Sequence, residues 1–425
     1  MGILIKGGYL IDGKAKRGEV YDILIEGGKI TSIGKDLSPG PDCEHLIDAA
    51  RKVVIPGLID MHTHAREPGY EYKENIKSVS EAAAAGGFTT ICAMPNTKPV
   101  NDNRTVTEFI RSRAREAGIV TLLPIGAITK GSQGVELAEI GELYDAGCLA
   151  ISDDGRPVMN SEVMRRGMEY ARGFDMLVIS HCEDANLSLG GVMNEGIIST
   201  RLGLHGIPPA AEEVMVARDI LLAEYTGCRL HLAHISTAGS VRIIREAKSR
   251  GIAVTAETAP HYFTLTEEAV EGYDTNAKVN PPLRTSLDMA AVREGLKDGT
   301  IDLIATDHAP HALEEKELEF DQAPFGISGL ETALSLTLGL VEDGIFSLDE
   351  AILRLTINPA RVLGIDKGYL AVGADADIAI IDLDDRWVVD PARFRSKGKN
   401  SPFAGWKVKG SVFMTLAGGR IVFSR

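Results

Sequence analysis

Five segments of this chain end apolar, β-like runs with residues that bind divalent metals. They are Asp60-Met61-His62-Thr63-His64, Ser152-Asp153-Asp154-Gly155, Ser180-His181, His231-Leu232-Ala233-His234 and Thr306-Asp307-His308. His62 and His64 lie two apart, so on a strand both imidazoles leave the same face. Neutral imidazole with carboxylate is the donor set of catalytic zinc, which keeps one position open for water. A single His-x-His pair is weak evidence, because buried structural histidines are about as common. Histidine or aspartate ending four later runs makes chance a poor explanation for the set.

Each residue also has an ordinary reading. Asp153-Asp154-Gly155 carries a turn signal, and of two adjacent acids on a strand only one points inward. His231 lies three before His234, which places it on the other face as a packed or surface histidine. His45 and His205 fall in expected loops and take no role. Asp307 closes the run Ile-Asp-Leu-Ile-Ala-Thr, and a carboxylate beside a metal and its water is well placed to take that water's proton. His311 follows in the same loop after Ala309 and Pro310. Arg66 and Asn96 stand just past the first two runs. An arginine fork there is a natural partner for a substrate carboxylate, although a surface salt bridge is the commoner fate of an arginine. Asn280, after the seventh run, offers an amide to the edge of a heterocycle. Pro324-Phe325-Gly326-Ile327-Ser328-Gly329 reads as a pocket wall where glycine lets the main chain approach a ligand.

The elements that must position these residues alternate. Apolar runs near 53–60, 88–93, 120–125, 148–152, 176–180, 229–234, 252–256 and 301–306 are separated by helical stretches at 74–86, 103–117, 161–172, 211–226, 238–250 and 287–297. Eight β-then-α units over about 300 residues give an α/β fold, the (β/α)₈ barrel. The ligand candidates end the runs, on the face where such barrels keep their active sites. Strand-rich pieces with Gly-Gly turns at 27–28 and 418–419 occupy the two ends of the chain. Neither is large enough to bury a core alone. Residues 1–55 and 365–425 are therefore expected to share one small β-sandwich, with the barrel spanning 56–364.

Composition bounds the function. The chain has 425 residues, is 44% hydrophobic and carries a formal charge of −15. That charge argues against nucleic acid, which needs a basic face, and leaves small anionic substrates open. Five cysteines with no C-x-x-C suit a reducing cytoplasm. No secretory leader is legible at the first residues, and charged residues interrupt every candidate membrane span.

Asp60-Met61-His62-Thr63-His64-Ala65-Arg66-Glu67-Pro68-Gly69 and Ala305-Thr306-Asp307-His308-Ala309-Pro310-His311, with Lys316 five residues further on, resemble the two signatures of dihydroorotase. That family is a branch of the metal-dependent amidohydrolase superfamily, and the resemblance runs along essentially the whole chain. It implies zinc-dependent interconversion of N-carbamoyl-L-aspartate and L-dihydroorotate, the third step of pyrimidine synthesis. It implies that His62, His64 and Asp307 hold a first metal and His181 and His234 a second. Asp307 would also be the general base and acid. Arg66, Asn96 and His311, beside His64, would grip the substrate carboxylate, and Asn280 with the backbone at Phe325 and Gly326 would address the ring. Where many relatives use a carboxylated lysine to bridge the metals, this chain has Asp154. The shorter side chain leads us to expect a second site only partly filled on isolation. The resemblance further implies a homodimer and a complex with aspartate carbamoyltransferase. Hydantoinase or allantoinase activity is the rival reading, and a catalytically idle scaffold for a partner enzyme a more distant one.

Overall fold

Leu58–Thr63 is the first strand of a parallel ring, followed in order by Phe88–Ala93, Thr121–Pro124, Ala150–Ile151, Leu177–Ser180, Leu230–Leu232, Val254–Thr258 and Leu303–Ile304. This computed structural model describes residues 2–14, 18–40 and 43–425. Within it, strands one to three pair in parallel, as do strands four to eight. Two isolated parallel bridges close the ring: Gly126 with Ile151 joins strands three and four, and Thr63 with His308 joins eight and one. The architecture is the expected (β/α)₈ barrel.

The strands are apolar because both of their faces are covered. Val178, Leu230, Leu232 and Ile304 belong to the cluster shared with helix residues such as Val216, Ile220 and Ile244. Their neighbours in sequence, Leu177, Ile179, Ala233 and Leu303, meet Ile59, Met61 and Cys92 in a second cluster, which residues of the helix Ile357–Leu363 complete. Helix starts are set chemically. Asn75, Asn103, Asn160, Thr237 and Thr285 each accept a hydrogen bond from a backbone N–H in the first turn of the helix that follows. Caps of this kind contribute about 1 kcal/mol each; the first four stand in the connection between a strand's carboxyl end and the next helix, and Thr285 ends the longer connection after strand seven.

The first apolar run differs from the expectation of one strand over 53–60. It is two strands separated at Gly57, where an added Cβ would lie 2.2 Å from Thr89 Oγ1. Val53–Pro56 pairs with Gly2–Leu10 and, antiparallel, with Ile378–Val388. Both ends of the chain thereby enter one eight-stranded sheet. Alternation divides the burial: Val54 packs in the small core with Ile3, Ile25 and Ile378, whereas Val53 and Ile55 face the barrel's cluster. His45, expected in a loop, lies on the strand Cys43–Asp48, which adds to the same sheet and leaves the side chain exposed.

The two Gly-Gly turns meet back to back. Ala376 N donates to Gly28 O at 2.9 Å and Gly419 N donates to Ala376 O at 3.0 Å. Gly419 has φ +72°, and a Cβ there would lie 2.6 Å from Gly28 Cα. Gly419→Val should therefore destabilise the protein by about 2 kcal/mol or more, through left-handed strain and the clash together. A urea unfolding midpoint equal to wild type would contradict this.

Candidate active site

Asp154 is the hub of a buried cluster at the carboxyl ends of the strands. Its Oδ1 lies 3.3 Å from His62 Nε2, 3.8 Å from His181 Nδ1 and 3.9 Å from His234 Nε2, and its Oδ2 lies 3.7 Å from His64 Nε2. Two sets of three ligand atoms converge within 4.8 Å of one another: His62, His64 and Asp154, and Asp154, His181 and His234. Asp307 Oδ1 borders the first set, 3.0 Å from His64 Nε2 and 3.5 Å from His62 Nε2. Burial pushes both carboxyls up. The surrounding imidazoles, His62 foremost, outweigh it and hold Asp154 and Asp307 below the ordinary carboxylate range. Both therefore stand ionised.

Backbone geometry explains how short strands deliver these groups. On strand four, Ala150 lies in the inner cluster and Ile151 in the outer one. Continued alternation aims Asp154 at the histidines and Asp153 away. Asp153 instead accepts from Ile128 N, Thr129 N and the Thr129 hydroxyl. Arg66, His234 and Asp307 have left-handed backbones, with φ of +60°, +37° and +48°. Such residues cost about 1–3 kcal/mol each and persist where the surroundings impose them. His231 is a packed histidine, as expected, fully buried and bonded to Glu257. Its face differs from the expectation: Leu230 and Leu232 pack outward, so His231 points inward, and the left-handed step at His234 breaks the two-residue alternation and brings that residue inward too.

A ring of outward hydrogen bonds fixes the imidazoles. His62 Nδ1 donates to Glu257 Oε1 (2.8 Å), His64 Nδ1 to Asn96 Oδ1 (2.9 Å) and His181 Nε2 to Glu183 Oε2 (2.8 Å). Each bond leaves the opposite nitrogen facing the cluster, His62 Nε2 and His181 Nδ1 toward Asp154 Oδ1 and His64 Nε2 toward Asp307 Oδ1. His62 Nε2, fully buried, has no hydrogen-bond partner among the described residues, and His181 Nδ1 faces His234 Nε2 at 2.8 Å. Imidazole nitrogens converging around a carboxylate fit a divalent metal better than they fit one another. Burial raises the Glu257 carboxyl, but hydrogen bonds from His231 and His62 bring it down to about 2. Glu257 and Glu183 escaped the sequence reading. The available signal was a glutamate in the otherwise uncharged strand Val254–Thr258, and another two residues beyond His181.

The remaining predicted residues sort by position. A cavity of about 290 Å³ is lined by His64, Arg66, Asn96, Asp154, His181, His234, Asn280, Asp307, Phe325 and Gly326, among others. His62 lies beneath it. His311 stands one layer back: its Nε2 is 2.8 Å from Phe325 O and 3.3 Å from Arg66 Nη2. Burial, then the nearby Arg66 and Lys73, lowers its pKa, so the ring is neutral. Asn96 uses both ends of its amide on protein, accepting from His64 and donating to Asp154 Oδ2 (3.1 Å). Asn280 Nδ2 donates to Glu183 Oε2 at 2.7 Å. Arg66 Nε donates to Pro310 O, and no carboxylate of the described residues forms an ion pair with this guanidinium. The cavity therefore offers a metal-competent cluster on one side and, on the other, a guanidinium that forms no ion pair among the described residues.

Comparison with known proteins agrees with this arrangement. Residues 51–240 match the dihydro-orotase-like family model and residues 202–423 the amidohydrolase family model. A dihydroorotase of Syntrophus aciditrophicus is 59% identical over 423 residues, covering 100% of this chain and 99% of that protein. One of Geobacter metallireducens is 56% identical over 425 residues, covering 100% of each. Among solved structures, an L-hydantoinase from Arthrobacter aurescens superposes with a TM-score of 0.88 at 28% identity, covering 99% of this chain and 96% of that one.

Three substitutions test the cluster. Glu257→Gln removes an acceptor shared by His62 and His231, and should weaken metal binding by about 10–100-fold in a chelator competition. Unchanged affinity would mean that Glu257 does not hold His62. Asp154→Ala should strip metal from both sets. Asp153→Ala should retain the metal and lose about 1–3 kcal/mol of stability, since three buried donors lose their acceptor. Equal metal loss in the two aspartate variants would reverse this assignment.

Proposed function

The chain belongs to the dihydroorotase family of the amidohydrolases, and from that premise we propose how this cavity interconverts N-carbamoyl-L-aspartate and L-dihydroorotate. The enzyme is a hydrolase of cyclic amide C–N bonds. The observation that carries the residue assignments is Arg66, a cation that faces the cavity with no carboxylate of its own. Dihydroorotate brings both the missing carboxylate and a ring amide to set against the imidazole cluster. A hydantoin brings no carboxylate, which ranks hydantoinase and allantoinase activity second.

In this reading His62, His64 and Asp307 would hold one zinc ion and His181 and His234 another, with Asp154 within reach of both sets. Zinc bound there would lower the pKa of a water toward neutrality and polarise the ring carbonyl. Asp307, ionised and beside His64, accepts the proton of the attacking water. The carbonyl carbon gains oxygen, its bond to the ring nitrogen breaks, and Asp307 returns the proton to that nitrogen. Ring closure follows the same path backward. Arg66 receives the substrate carboxylate by a forked, charge-assisted contact, with Asn96 and neutral His311 completing that corner. Asn280 and the main chain of Phe325 and Gly326 meet the ring. Asp154 is shorter than a carboxylated lysine, so the second set is expected to be partly filled unless zinc is supplied.

Assembly belongs to the same proposal. The exposed stripe Val214, Leu221 and Tyr225 along the helix Ala210–Thr226 supports a homodimer. A complex with aspartate carbamoyltransferase and a cytoplasmic setting are carried with it. No helix of the described residues is long and apolar enough to cross a membrane.

Arg66→Ala should lower kcat/KM for dihydroorotate by about 30-fold or more, chiefly through KM. The loss corresponds to about 2–5 kcal/mol for stranding an anion in a desolvated pocket. A spectrophotometric assay with dihydroorotate, beside hydantoin and allantoin, checks both points. A change within about twofold would remove Arg66 from the substrate.

A further inference from the structure

Lys316 ends the second sequence motif, yet the chemistry above does not use it. Its side chain is buried, and its ammonium donates to three main-chain carbonyls: Thr275 O and Pro324 O, both at 2.8 Å, and Lys278 O at 3.4 Å. No carboxylate of the described residues forms an ion pair with it. Burial, with Lys278 nearby, pulls its pKa down to about 7. A buried cation held by carbonyl oxygens with no ion pair is a costly way to fill space, and a long apolar residue would fill it more cheaply. What an apolar residue lacks is a set of donors that draws three carbonyls to one point.

The segments so gathered border the cavity. Lys278 O also accepts from Gly326 N at 2.9 Å, and Asn280 follows Lys278 by two residues. Pro324 precedes Phe325, whose carbonyl accepts from His311. The Thr275 hydroxyl in turn donates to the Lys316 carbonyl. Lys278 Nζ continues the seam by donating to Phe320 O (2.6 Å) and Asp321 O (3.1 Å). One ammonium thus joins the loop after strand seven, the loop after strand eight and the 324–326 wall.

We propose that Lys316 is a positioning residue that pins the Asn280 loop against the Phe325–Gly326 wall and thereby sets the fit of the cavity around the substrate ring. The inference rests on the reading in which that loop and wall meet the ring. Methionine approximates the length of lysine without its donors, and glutamine keeps two of them.

The test compares Lys316→Met and Lys316→Gln with wild type by steady-state kinetics, metal content and hydrogen–deuterium exchange at the Gly326 amide. For the methionine variant, KM for dihydroorotate should rise about tenfold or more, with kcat within about threefold and metal content unchanged. Gly326 exchange should quicken, because its bond to Lys278 O loosens. The glutamine variant should fall between methionine and wild type, and it carries the same measurements if the methionine variant does not fold. Unchanged Gly326 exchange in a folded variant would overturn the clamp itself. Faster exchange with unaltered KM would overturn its effect on substrate fit, and would also remove the wall from the ring while leaving the Arg66 result untouched. Loss of metal and of kcat at constant KM would overturn the proposal by placing the effect in the metal cluster.

Discussion

A buried carboxylate shared among four imidazoles is the constraint on which this molecule turns. Asp154 lies within 4 Å of His62, His64, His181 and His234, and none of the five side chains is more than slightly exposed. Ionised groups at that depth are tolerable only when every proton and lone pair has a direction. The outward bonds to Glu257, Asn96 and Glu183 supply the direction for three of the imidazoles. The left-handed backbones at His234 and Asp307 are the local cost of aiming side chains where an ideal strand would not. The barrel's wall, with its paired strands and capped helices, is rigid enough to sustain them.

The cavity is electrostatically divided. Carboxylates and imidazoles crowd the side formed by strands one, four, five and six. Arg66, beside His311, forms the other. His311 stays neutral because burial and the adjacent Arg66 and Lys73 disfavour a further positive charge. It therefore accepts or donates as a neutral ring and leaves the cationic task to Arg66. A substrate with an anionic group at one end and a cleavable amide at the other matches that division. An uncharged ring would leave the guanidinium without an anion to pair with.

Much of this was legible in the sequence because it repeats. Eight apolar runs alternating with helical stretches fix the barrel, and runs ending in His or Asp mark one rim. Strand parity allowed only one of Asp153 and Asp154 to point inward, the resemblance named Asp154, and the alternation from Ala150 and Ile151 makes the same choice. Glu257 and Glu183 were overlooked because a single carboxylate in or after an apolar run has no motif; its meaning lies in the imidazole it meets across the barrel. His231 is packed as expected but was assigned the wrong face, because two-residue alternation was extended through a left-handed residue that no propensity rule signals. The break at Gly57 was hidden for a similar reason. Val53–Pro56 and Leu58–Thr63 are both apolar, and only their partners reveal that they serve different sheets.

That break has a consequence for how the chain comes to be made. Val53–Pro56 leads within two residues into the strand that carries His62 and His64, and it takes Ile378–Ile381 as its antiparallel neighbour. Lys52 reaches Asp382 at 2.8 Å, 330 positions away in sequence. During synthesis the earliest strands therefore wait beside an open edge until nearly the whole polypeptide has left the ribosome. Contacts this distant in sequence slow folding and leave the edge exposed in the meantime. Strand one, paired early with strand two, thus gains its other fastenings late: strand eight through Thr63 and His308, and the terminal sheet through Val53–Pro56. A nascent chain of this protein holds its histidines long before it holds them in place.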